Sequence, residues 1–197
     1  MTKIKGFKVN LRIREIQRRA KRAKLDLGAL GLGTDEALSE LGKSFFAKTK
    51  PAVIYGSFAA EGVKGPAEKT AAPAFSPLPG LAYSIAAVTL GPNTGAFIEE
   101  RVQAAPELRP VLDITAQAAL EEAVGFVLSM LEDSAKEEQC ELSPIQYLTE
   151  GPGLGALVEK LEGHKIGIAV SDSGVSPAHS RAFSVSWLAP RTKSRAK

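Results

Sequence analysis

The sequence predicts an α+β domain built on an antiparallel sheet, and three observations carry this. Strand-like segments come in adjacent sets rather than alternating strictly with helices, which favours antiparallel pairing over a doubly wound parallel sheet. Residues 111–138 hold Leu112, Ala116, Ala119, Leu120, Ala123, Val124, Val127, Leu128 and Leu131, a broad apolar face at helical spacing. A segment that long and that apolar reads as the central buried helix. Residues 182–188 alternate, with Phe183, Val185 and Trp187 on one face and Ser184 and Ser186 on the other, the period-two signature of a strand.

The remaining elements follow in chain order. Residues 10–27 place Ile13, Ile16, Ala20, Ala23 and Leu27 at helical spacing, and the stretch Gly28–Gly33 stops the helix. Thr34 is a good N-cap, with Asp35 and Glu36 in the first turn of a helix that carries Leu38, Leu41 and Phe45 and ends before Pro51. Residues 52–60 and 82–90 read as strands. Between them, 61–80 holds four Pro and three Gly, a long loop for a compact domain. Gly91-Pro92-Asn93 opens a helix through Ala105. A short helix is expected over 153–162 and a strand over 166–170. GPGLG at 151–155 reads as a plain turn.

At 197 residues the chain has the size of one domain. We divide it into a basic arm (1–9), a folded body (10–190) and a basic tail (191–197). Residues 1–24 carry a net charge of +9, 25–190 carry −10 and 191–197 carry +4. The basic ends permit contact with nucleic acid or an acidic protein, although a solvated helix face and a frayed tail account for them equally simply. Cys140 is the single cysteine, so no disulfide closes within the chain. There is no secretory signal pattern and no long uninterrupted apolar run, so the expected location is cytoplasmic, with no membrane span.

No phosphate-binding loop, dinucleotide fingerprint, HExxH or paired-cysteine motif is present. Two histidines and one cysteine are too few for a common zinc site, so no metal is expected. Glu121 with Glu122, and Glu137 with Glu138, read as solvated helix faces, and Asp113 as an acid favouring a helix start. The residues taken singly yield no catalytic constellation.

Taken in blocks, they resemble a known family. AVTLGPNTGAFIEERVQAAPELRPVLDITAQAALEEAV (87–124), ELSPIQYLTEGPGLGALVEKLEG (141–163) and KIGIAVSDSGVSPAHSRAFSVSW (165–187) resemble, in order and spacing, the activation domain of cobalamin-dependent methionine synthase. Thr89, Leu90, Gly91, Glu99, Glu100, Asp113, Ala119 and Glu121 fit the first block, and Pro177, Ser180 and Trp187 fit the third. Lys50-Pro51-Ala52-Val53 is similar to the front of free-standing relatives. The resemblance covers roughly residues 10–188. It implies a curved antiparallel sheet around a long central helix.

It also implies a site and a role. The family binds S-adenosylmethionine and, with an electron from a flavodoxin-type donor, restores methylcobalamin in methionine synthase. The site implied here comprises Glu141, Ser143, Pro144, Gln146, Tyr147, Ser173, Pro177, Ser180 and Arg181, with no catalytic side chain of its own. This sequence departs from the family there. The family Arg falls on Glu141, its Gly on Ile145, its Tyr on Gln146 with Tyr147 one place later, and a second Tyr on Ser173. Arg181 is the candidate to replace the lost Arg. No Asp-x-His-x-x-Gly run is present, so cobalamin would be reached only through a partner, a corrinoid-binding or methionine synthase protein. Three readings stand: a reactivation subunit within a cobalamin-dependent methyltransferase system of methionine biosynthesis; a non-catalytic relative that docks on a corrinoid or methyltransferase protein; and a nucleic-acid-binding module acting through its basic ends.

Overall fold

The computed structural model describes residues 1–60, 75–171 and 174–190. Most of the long loop (61–74), Ser173 and the basic tail (191–197) lie outside the described residues.

The chain runs β1 (Thr2–Lys5), α1 (Ile13–Arg22), α2 (Asp35–Lys48), β2 (Ala52–Ala59), β3 (Ala82–Thr89), α3 (Asn93–Ala104), α4 (Arg109–Glu137), β4 (Glu141–Leu142), β5 (Gln146–Leu148), α5 (Pro152–Lys160), β6 (Ala169–Ser171), β7 (Gly174–Ser176) and β8 (Ser180–Leu188). The main sheet has the order β1-β2-β3-β8-β4, with β5 also on β8, and every pairing is antiparallel. β6 and β7 form a separate hairpin. This is the mixed architecture with one long central helix that the sequence predicts.

Two apolar layers fix the sheet. Val53, Ala86, Val88, Phe183 and Val185 meet Leu112, Ala116, Ala119, Ala123 and Val127 of α4. The opposite face brings Ile54, Ile85, Ala87 and Ala182 against Leu154, Leu157 and Val158 of α5. A third cluster of Ile16, Leu38 and Val111 joins α1 and α2 to the start of α4. With its preceding turn, α4 is long and apolar enough to cross a membrane, but half of its most apolar stretch is buried inside the protein. That is the situation of a core helix.

The serine face of β8 is not solvated. Ser184 and Ser186 are fully buried, because α5 and the segment 75–80 cover them. Ser186 Oγ donates to the Leu78 carbonyl at 2.7 Å and accepts from the Leu78 N–H at 2.9 Å. On the α4 side, Trp187 Nε1 donates to Ser84 Oγ at 2.8 Å.

Several boundaries differ from expectation for physical reasons. Residues 2–5, read as part of a basic arm, pair with β2 as an edge strand. The strand expected over 166–170 begins at Ala169, because Gly163–Ile166 forms a 3-10 turn that ends at Gly167 with φ +76°. Glu121 and Glu122, read as a solvated face, pair with Arg19 and Arg12 of α1. GPGLG is the start of α5 itself, with Gly151 (φ +81°) preceding Pro152.

The edge strand beside β8 carries a bulge. Leu142 pairs with Trp187 and Gln146 with Ser184. Three residues, Ser143 to Ile145, therefore oppose two, Val185 and Ser186, which is the definition of a β-bulge. Pro144 has no N–H to give the ladder. Ser143 closes the gap: its N–H donates to the Ser186 carbonyl at 2.9 Å, and its Oγ accepts from the Ser186 N–H at 2.9 Å.

Candidate functional site

The bulge divides the sequence-predicted site residues into two groups. Glu141 pairs with Leu188 at the far end of β8, whereas Leu148 pairs with Ala182 near its start. Six residues of strand separate these rungs, about 20 Å at the rise of an extended chain. Glu141 is exposed, Ser143 is buried in the bulge and Pro144 follows it on the outer edge. These three are not brought to the residues of the later loop.

The other group does converge. A cleft of about 450 Å³ opens between the end of β5, the β6–β7 hairpin and the start of β8, and Thr149, Ser171, Ser176, Ser180 and Arg181 line it. Pro177 joins Ser176 to Ala178, both of which line the cleft, through a cis peptide bond. Gly174 (φ +104°) lets the hairpin approach β5: a Cβ there would lie 3.2 Å from the Thr149 carbonyl oxygen. Ser180 is buried and donates from Oγ to Thr89 Oγ1 at 2.8 Å, and Thr89 Oγ1 also accepts from the Gly91 N–H at 3.0 Å. The family-like Thr-Leu-Gly turn is thus tied to the wall of the cleft. Ser173 lies outside the described residues.

Tyr147 precedes the lining residue Leu148 on β5 and does not itself line the cleft. It is 44% exposed and its ring meets Phe183 edge-on at 6.3 Å. Burial pushes its hydroxyl above the usual tyrosine range, with Arg181 opposing and the Glu121 carboxylate adding to the shift. Gln146 is exposed on the next rung, opposite Ser184, whose buried Oγ has no hydrogen-bond partner among the described residues.

The electrostatics favour an anion. Arg181 has no carboxylate partner among the described residues. His179 is held below the usual histidine range chiefly by burial, with Arg181 acting in the same direction and Asp113 against it. Glu121 is drawn away by Arg19, which donates to it through two guanidinium nitrogens and lowers its pKa. The Arg181 guanidinium lines the cleft with the hydroxyl residues Thr149, Ser171, Ser176 and Ser180. A guanidinium in such a setting binds a carboxylate or phosphate in a two-point fork. Among the described residues no group of three His, Cys, Asp or Glu could hold a metal ion.

Sequence reasoning missed Thr149, Ser171, Ser176 and His179. For Ser171, Ser176 and His179 the signal was the Ser-rich composition of the 171–181 loop, which by itself describes any turn, and Thr149 carried none.

No family model matches the sequence, and no curated protein matches it. A solved structure does: the crystal structure of the MetH reactivation domain bound to AdoHcy, with a TM-score of 0.55 and 12% sequence identity, covering 100% of this chain and 81% of that chain. The helices and antiparallel sheet described above, around one long central helix, match the fold of the MetH reactivation domain over the whole of this chain.

Proposed function

We propose that this protein binds S-adenosylmethionine in the cleft between β5, the β6–β7 hairpin and β8, and that it supports reductive methylation of a corrinoid carried by a partner protein. The observation that carries this reading is the full-length likeness to a domain whose solved form holds AdoHcy, which is S-adenosylmethionine without its transferable methyl. The Arg181 guanidinium, without a carboxylate partner among the described residues, supports it by supplying a forked donor for the ligand carboxylate. Ser176 and Thr149 line the same cleft and offer hydroxyls. Glu141 stands about 20 Å along the strand, beyond the Debye length at physiological salt. Its charge would not oppose an anion at Arg181. In this reading the chain positions the sulfonium methyl, the partner supplies the cobalt, and a flavodoxin-type protein supplies the electron.

A second reading rests on Ile145. Where the family places a glycine, this side chain packs on the α4-side core, which fits a relative that has lost the ligand and only docks on a corrinoid or methyltransferase protein.

Calorimetric titration with S-adenosylmethionine separates the two. The first reading expects saturable binding that Arg181→Ala weakens about tenfold or more, the size of a charged hydrogen-bond pair. Absence of binding, both alone and with a corrinoid protein present, would leave the docking reading.

A further inference from the structure

A second cavity, which shares no lining residue with the β8 cleft, opens between the segment 6–13 and α2. It measures about 680 Å³, within the range of small-molecule sites. Phe7, Val9, Leu11, Leu38, Phe46 and Pro51 form its apolar walls. Val9, Leu38 and Pro51 are buried, so this is a recess rather than a flat patch.

The charged residues lining it are of one sign. Lys8, Lys43 and Lys50 line it and are solvent-exposed, and neither Asp nor Glu does. Lys43 reaches Glu40 at 3.4 Å, with both side chains exposed. Lys8 and Lys50 have no ion pair among the described residues. A recess with apolar walls and a cationic mouth selects a ligand with an apolar body and an anionic head.

Gly42 points the same way. It lies in the interior of α2, where glycine is the poorest residue after proline, and it lines the cavity. A Cβ there would meet only Leu11 Cδ2, at 3.4 Å, an ordinary contact. Packing does not demand glycine; the open space beside it does benefit from one.

We infer that this cavity binds a medium-chain fatty acid, its alkyl chain against Phe7, Leu11, Leu38 and Phe46 and its carboxylate held by Lys8 and Lys50. The test is calorimetric titration of the full chain with dodecanoate below its micelle concentration, against dodecanol and dodecyltrimethylammonium, on the wild type and on Lys8→Glu/Lys50→Glu. Both substituted residues are exposed, so the variant keeps the fold, which an unchanged melting temperature checks. The expected result is one-to-one binding of dodecanoate, about tenfold or more tighter than dodecanol, with that preference lost in the variant. No saturable binding of dodecanoate overturns the inference. So does equal affinity for the alcohol, or a variant that binds dodecanoate as well as the wild type does. S-adenosylmethionine binding plays no part in this readout, so the two sites stand or fall separately.

Discussion

A Cβ placed on Gly80 would lie 2.5 Å from the carbonyl oxygen of Trp187. That oxygen accepts the Leu81 N–H at 2.8 Å, so segment 75–81 is drawn onto the end of β8 at a distance only glycine allows. Gly80→Ala forces a backbone shift and is expected to cost about 1–3 kcal/mol, the range of overpacked sites. Urea unfolding measures it. A change within error of zero would mean the segment moves aside freely.

Ser143 is held by backbone, and its substitution should register as stability rather than as ligand affinity. Ser143→Ala leaves the buried Ser186 N–H without the oxygen it donates to at 2.9 Å. The expected loss is about 1–3 kcal/mol, with S-adenosylmethionine affinity unaltered. A variant with native stability but weakened binding would reverse the assignment.

Gly125 stands on the exposed side of α4, and a Cβ there meets nothing within 4 Å. Gly125→Ala gains helix propensity and is expected to stabilise the protein by about 1 kcal/mol. A thermal midpoint that does not rise would show that α4 near Gly125 is not limited by backbone freedom.

The Glu15 carboxyl is held at about 2 by hydrogen bonds from Arg18 and then Arg19, against an ordinary value of 4.5. A depressed folded-state pKa stabilises fully above the unfolded value and loses that effect as the pH falls through the folded one. Stability attributable to Glu15 is therefore present above about pH 4.5 and is lost towards pH 2. Glu15→Gln should flatten that part of the urea-midpoint profile. Superimposable profiles for variant and wild type would place the contacts of Glu15 with Arg18 and Arg19 among the surface ion pairs that contribute nothing measurable.

Much of the architecture is legible in the sequence. α4 was marked by its apolar spacing and β8 by strict alternation, because burial on one face imposes a period that composition records. β1 was not, since Thr2-Lys3-Ile4-Lys5 at a sheet edge buries too little to leave a pattern. β5 was hidden by Pro144, which reads as a break although a bulge accommodates it. For the site, the sequence gathered Tyr147, Pro177, Ser180 and Arg181 along a resemblance, and of these Ser180 and Arg181 line the cleft. It could not separate Glu141 from them, because the distance along β8 depends on a pairing register that no local pattern specifies. The hydroxyls of Thr149 and Ser176 carry no periodic signal at all.

The bulge acts on facing as well as on length. Side chains alternate along a strand, so one surplus residue inverts the orientation of everything after it. With the register of Leu142 and Trp187 continued unbroken, Tyr147 would pair with Ala182 and face α5. With the surplus residue it pairs with Phe183 and shares the α4 side with Arg181. Deleting any one residue from 143–145 would leave two residues opposite Val185 and Ser186, so the bulge would close with Gln146 still opposite Ser184 and Tyr147 still opposite Phe183. The side of the sheet that Tyr147 faces is thus decided by where along the edge the surplus residue is absorbed, before Gln146 rather than after it.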